Sequence, residues 1–99
     1  MSDNNRLFLQ QASNLLNELQ IRYLEADFDE QVELKEDLDR AMTDFSRAKL
    51  VILKNSVTCT SDDVKQMQQL RKKVSDAPNF SQIVSTVVSF ATFVRSRFF

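Results

Sequence analysis

The middle of the chain carries apolar side chains in a heptad repeat. Their spacing alternates between four and three residues: Leu34, Leu38, Ala41, Phe45, Ala48 and Ile52. A helix that turns about 100° per residue brings all six to one narrow stripe, whereas a β-strand would distribute them over both of its faces. The repeat therefore predicts a long helix with a coiled-coil-like seam that is buried against other helices.

The absence of glycine narrows the fold further. The 99 residues contain no glycine and one proline, Pro78, where average usage would give about seven glycines. Glycine supplies the positive φ of tight hairpin turns and the close backbone approach of phosphate-binding loops. The composition therefore favours helices over sheets and excludes the glycine-dependent nucleotide-binding motifs.

Helical periodicity divides the chain into four segments. They cover residues 4–25, 28–55, 61–75 and 79–97. Asp27 and Glu30 have the spacing of a capping box, which predicts that the first two segments are separate helices. The alternative, one continuous helix over residues 4–55, would place Glu30 in the apolar seam. We therefore predict an all-α protein, a single domain over residues 1–99, built as a small bundle of a long helical hairpin and two shorter helices.

The second helix is too long for the third to cover. At 1.5 Å per residue the second helix would be roughly 42 Å long and the third roughly 24 Å. In a single chain the end of the longer helix would extend beyond its neighbours, and a second chain would cover it. The sequence therefore predicts an oligomer, either a homodimer or a subunit of a larger helical assembly.

The two halves of the chain carry opposite charge. Residues 1–44 contain 4 basic and 11 acidic side chains, and residues 45–99 contain 9 basic and 3 acidic ones. Such asymmetry favours antiparallel helices whose oppositely charged faces meet. A basic surface that stayed exposed would instead favour nucleic acid, and Arg71, Lys72 and Lys73 are then the candidate contacts for phosphates.

The chain lacks the residues on which most catalytic and metal sites depend. It has no histidine and a single cysteine, Cys59, so the usual transition-metal ligands and the usual base for a nucleophile are missing. Glu30, Glu33 and Glu36 have a spacing that resembles the first metal-binding motif of the all-helical nucleotide pyrophosphatases. That motif needs a second acidic pair, and no Glu-x-x-Asp occurs on a later helix. We therefore predict a protein that is not an enzyme and has no catalytic residue, metal site or cofactor.

The last helix has a wide apolar face and a polar face of serine and threonine. We expect the apolar face to contact another protein through Ile83, Val87, Phe90, Val94 and Phe98, while Leu34, Leu38, Phe45 and Ile52 form the seam within the chain. Phe93 lies on the polar side and Arg95 at the apolar edge, and neither fits this division. Residues 77–99 contain no acid, and their composition resembles that of lipid-packing sensor helices. This resemblance implies an alternative, peripheral membrane binding through residues 79–99.

The sequence shows no targeting segment. The first residues lack the basic and apolar regions of a secretory signal, and no run of about eighteen apolar residues is present to span a bilayer. We therefore expect a cytoplasmic protein. Its expected function is association with itself or with another helical protein, and the alternatives are binding to nucleic acid and to membranes.

Overall fold

The computed structural model describes residues 2–99 and consists of four helices. They are α1 (Asp3–Glu25), α2 (Phe28–Leu53), α3 (Ser61–Ser75) and α4 (Phe80–Phe98). Residues 2–99 contain no strand. The predicted all-α bundle is confirmed, and each helix begins and ends within about two residues of the position that periodicity and capping predicted.

Side-chain caps separate the helices. The Asp27 carboxylate accepts a hydrogen bond from the Glu30 amide at 2.9 Å, and the Glu30 carboxylate accepts one from the Asp27 amide at 3.2 Å. This capping box allows the chain to reverse with only two residues between α1 and α2, which confirms two helices rather than one. Thr60 and Asp63 form a second box at the start of α3. Asn55, just beyond α2, has a φ of 57°, a left-handed conformation that asparagine tolerates better than most residues.

The four helices form two hairpins that lie side by side. α1 packs on α2 and α3, and α4 packs on α2 and α3, while α1 and α4 approach each other across the shorter diagonal. α2 and α4 run parallel, because Phe45 contacts Phe90 and, further along both helices, Arg47 stacks on Phe99. The neighbours of α2 are therefore α1 and α4, not the shorter α3.

The heptad stripe lies in the core, as predicted. Its six residues are at most 7% exposed, and they pack with the apolar faces of the other helices in one cluster. The Phe45 and Phe90 rings lie 6.2 Å apart, which joins the middle of the stripe to the middle of α4. On α1, the Phe8 ring lies 5.3 Å from the Phe98 ring.

The apolar face of α4 packs in the core of the single chain. This placement corrects the expectation that the face contacts another chain. All five residues assigned to that interface are at most 9% exposed: Ile83, Val87, Phe90, Val94 and Phe98. α2 does not pack on α3, the shorter helix with which its length was compared. α2 packs instead on α1, with 23 residues, and on α4, with 19, and these two neighbours cover its seam without a second chain.

The two residues of α4 that did not fit either face have partners on other helices. Phe93 lies against Phe8, with ring centroids 6.1 Å apart. The Arg95 guanidinium donates to the buried Asp44 carboxylate at 2.7 Å. Among the ion pairs of residues 2–99, this one joins the acidic half of the chain to the basic half. We expected antiparallel helices whose oppositely charged faces meet. Instead, the Arg95–Asp44 pair joins α2 and α4, which run parallel, and most charged side chains of α2 lie on the surface.

Candidate association surface

The three basic residues considered for nucleic-acid binding do not share one free surface. The Arg71 guanidinium donates to the Gln11 side-chain oxygen on α1 at 2.6 Å and is half-buried. Lys72 and Lys73 are exposed and line an open depression at the end of α3, together with the acidic Asp76. The structure therefore separates Arg71 from the two lysines, and a carboxylate lies beside them.

The acidic residues near the start of α2 also have separate surroundings. Glu30 takes part in the capping box, and Glu36 pairs with Arg40 at 3.5 Å. Glu33 is exposed. Within residues 2–99, no three histidine, cysteine, aspartate or glutamate side chains come together in a way that would hold a metal ion.

A cluster of polar groups holds the link between α2 and α3 against the rest of the bundle. Asn5 of α1 is 2% exposed; its side-chain oxygen accepts from the Cys59 amide at 2.6 Å, and its nitrogen donates to the Val57 carbonyl at 3.3 Å. The Arg97 guanidinium donates to both Asp63 carboxylate oxygens at 3.0 Å. Every buried side-chain nitrogen and oxygen in the described residues has a hydrogen-bond partner. We interpret the cluster as a structural clasp. The sequence did not identify it, because Asn5 looks like an ordinary polar residue of an amphipathic helix.

Cys59 lies within this clasp and is poorly suited to nucleophilic chemistry. Its side chain is 1% exposed. Burial raises the pKa of the Cys59 thiol to about 11; the Asp63 carboxylate also raises it, and the Arg97 guanidinium opposes them. The reactive form of cysteine is the thiolate, so at neutral pH this group is protonated and shielded from solvent.

The most unusual surface feature is a set of exposed apolar side chains on the α1–α2 hairpin. Leu24 and Phe28, on either side of the turn between the helices, are 74% and 77% exposed. Four of the exposed residues lie on α2 and fall within about 60° of one another around that helix. We call these four the outer stripe of α2: Phe28, Val32, Leu50 and Leu53. The core is packed without them.

Charges of opposite sign flank the two ends of the outer stripe. Asp29 and Glu36 are exposed beside the Phe28 end, and Arg47 and Lys54 are exposed beside the Leu53 end. All four lie within about 20° of one another around the helix, along one edge of the stripe. The sequence offered a signal for this surface, since the stripe residues recur at helical spacing, but a polar stretch between Val32 and Leu50 interrupts the pattern.

The structure also bears on contact with membranes. No helix among residues 2–99 is long and apolar enough to cross a bilayer. The apolar face of α4, which was the candidate for peripheral binding, is buried in the core. Insertion of this face into a lipid surface would therefore require the bundle to open.

Helical bundles occur in proteins of unrelated function, so the fold by itself assigns none. The outer stripe of α2 is the surface feature that the core of this chain does not explain. Comparison with protein-family models, with curated proteins and with solved structures gave no match.

Proposed function

We propose that this chain is a non-catalytic helical protein that acts through protein–protein association, and that the outside of the α1–α2 hairpin is its contact surface. The observation that carries the proposal is the exposure of Leu24, Phe28 and Val32, which are 74%, 77% and 62% exposed. Burying a side chain of this kind contributes about 1.5 to 3 kcal/mol. A group of such residues at one end of a bundle is typical of an interaction site.

The surroundings of the ionisable groups favour association over catalysis. Cys59 is buried and its pKa is raised to about 11. Asp44 and Asp63 are the buried carboxylates, and each is paired with an arginine of α4. These pairs hold helices together, so the groups that chemistry would use have structural partners instead.

The two alternative functions receive less support from the structure. For nucleic-acid binding, Arg71 is bonded to Gln11 and Asp76 lies beside Lys72 and Lys73, so the positive potential is reduced where phosphates would bind. For membrane binding, the apolar face of α4 is occupied by core contacts. Neither limit applies to the hairpin surface, which is free in the single chain.

Site-specific photocrosslinking tests the proposal. A benzophenone analogue of phenylalanine at position 28 preserves the aromatic ring and leaves the core untouched, since Phe28 is 77% exposed. The matched control carries the same analogue at Val88, which is 46% exposed on α4. We expect a discrete adduct in native cells from position 28, identified by mass spectrometry, that is absent from position 88. Equal labelling from the two positions would contradict the proposal.

A further inference from the structure

We propose that the partner of the outer stripe is a second copy of this chain, bound through an antiparallel pair of α2 helices. This inference rests on the proposed function, because it names the partner of the same surface. The apolar residues of the outer stripe lie in two pairs on either side of the middle of α2. Phe28 and Leu53 lie about 37 Å apart along the helix, and Val32 and Leu50 lie about 27 Å apart, at 1.5 Å per residue.

Both apolar pairs have their midpoint at Arg40 and Ala41, in the middle of α2. A two-fold axis at this midpoint would place the stripes of two copies against each other, running in opposite directions. Phe28 of one copy would then face Leu53 of the other, and Val32 would face Leu50. Each contact would occur twice, once on each side of the axis. An interface in which the same patch is used by both copies is the most common form of protein dimer.

The charges beside the stripe match the same arrangement. In an antiparallel pair related by a two-fold axis, the edge of one helix faces the same edge of the other. Asp29 would therefore lie opposite Lys54 of the second copy, and Glu36 opposite Arg47. In a parallel pair, the two-fold axis would run along the helices and set this charged edge against the other edge of the partner, so the carboxylates and the basic groups would not meet. Charge complementarity thus selects the antiparallel orientation.

The centre of the stripe is polar, and the two copies of Asp39 would lie about 4.5 Å apart along the helix, one on each side of the two-fold axis. Lys35 would lie opposite Ser46 of the second copy, and Asp39 opposite Thr43. Lys35 and Asp39 already pair with each other at 3.2 Å within the helix. Because apolar contacts are confined to the two ends, we expect a dimer with a roughly micromolar dissociation constant, in the range of small and reversible interfaces. Salt should weaken it, because the flanking pairs are solvent-exposed.

Disulfide trapping in the full chain tests the orientation. A Val32→Cys chain is mixed with a Leu50→Cys chain under mild oxidation, and Cys59, buried at 1% exposure, serves as an internal unreactive thiol. We expect the mixed 32–50 disulfide to exceed the 32–32 and 50–50 products about tenfold, because the antiparallel pair separates like positions by about 27 Å. Predominant 32–32 and 50–50 disulfides would overturn the proposal in favour of a parallel pair. A random mixture of the three products would also overturn it.

Charge exchange between chains gives a second test that involves no covalent bond. One chain carries Asp29→Lys and Glu36→Lys, and the other carries Arg47→Glu and Lys54→Glu. Each chain alone should be monomeric in sedimentation experiments at concentrations where the unmodified protein dimerises, because like charges now face each other. Their mixture should dimerise. Circular dichroism verifies that each chain is folded, and failure of the folded mixture to dimerise would overturn the register.

The two proposals fail in different ways. Suppose that the unmodified protein is monomeric and that the Val32→Cys and Leu50→Cys chains form no mixed disulfide, while photocrosslinking from position 28 gives one adduct with a different protein. The self-association is then wrong and the contact surface is retained. If position 28 also gives no specific adduct, the contact surface itself is wrong.

Discussion

Replacement of Asn5 by alanine tests whether the clasp at the link between α2 and α3 stabilises the fold. Two hydrogen bonds are lost, at 2.6 Å to the Cys59 amide and at 3.3 Å to the Val57 carbonyl. The Cys59 amide belongs to a residue that is 1% exposed, so it is left without a partner or water, at a cost of about 1 to 3 kcal/mol. The Val57 carbonyl is in a half-buried residue, and its lost bond adds about 1 kcal/mol.

The expected total is about 2 to 4 kcal/mol, a large part of the roughly 5 to 15 kcal/mol that stabilises a typical domain. Urea unfolding followed by circular dichroism measures the free energy of unfolding. In thermal unfolding, Tm should fall by at least about 8 °C in a domain of this size. Asn17→Ala is the matched control, because Asn17 is an exposed residue of the same helix. The Asn17→Ala replacement gives the same gain in helix propensity as the Asn5→Ala replacement. If the two variants differ by less than about 0.5 kcal/mol, which is the usual range for surface substitutions, the clasp does not stabilise the fold as argued.

Further predictions concern the burial of Phe90, the ionisation of Cys59 and the backbone conformation of Asn55. Phe90→Asp should unfold the protein at every concentration, because Phe90 is 0% exposed in the core of one chain; a folded variant by circular dichroism would contradict this placement. Cys59 should react with iodoacetamide at pH 8 roughly 100-fold more slowly in the folded than in the unfolded protein on thiolate fraction alone, since its pKa rises from 9.0 to about 11. Because the unfolded chain releases this proton first, stability should decline as pH rises from about 9 to about 11, and Cys59→Ala should remove that part of the decline in urea midpoint. Asn55→Ala should cost about 1 kcal/mol, because Asn55 has a φ of 57°, whereas Asn55→Gly should cost nothing in the same assay.

Local features of the sequence predicted the helices well. The heptad identified the buried stripe of α2, and the spacing of Asp27 and Glu30 located the turn. Both signals depend on residues a few positions apart, so they are readable without the fold. The clasp depends instead on contacts between Asn5 and residues more than fifty positions later, and no local pattern distinguishes Asn5 from a solvated asparagine.

The choice of interface depended on information that helical periodicity does not contain. Periodicity shows which face of α4 is apolar, but not whether that face meets a helix of the same chain or of another. The side-by-side placement of the two hairpins decides this question, because it brings α4 onto α2 and buries Phe90. The outer stripe was overlooked for a related reason. A helical wheel of α2 identifies the buried seam, and the side away from the seam is then taken to face solvent.

The uneven distribution of long-range polar bonds gives the two ends of the bundle different mechanical properties. At one end, Asn5 and Arg97 tie the α2–α3 link to α1 and α4. At the other end, local bonds such as that between Gln31 and the Tyr23 carbonyl hold the turn. Amide protons near the turn should therefore exchange through small openings, while those beside the clasp exchange with global unfolding. A molecule that docks along α2 would meet a compliant surface around Phe28 and a rigid one around Leu53.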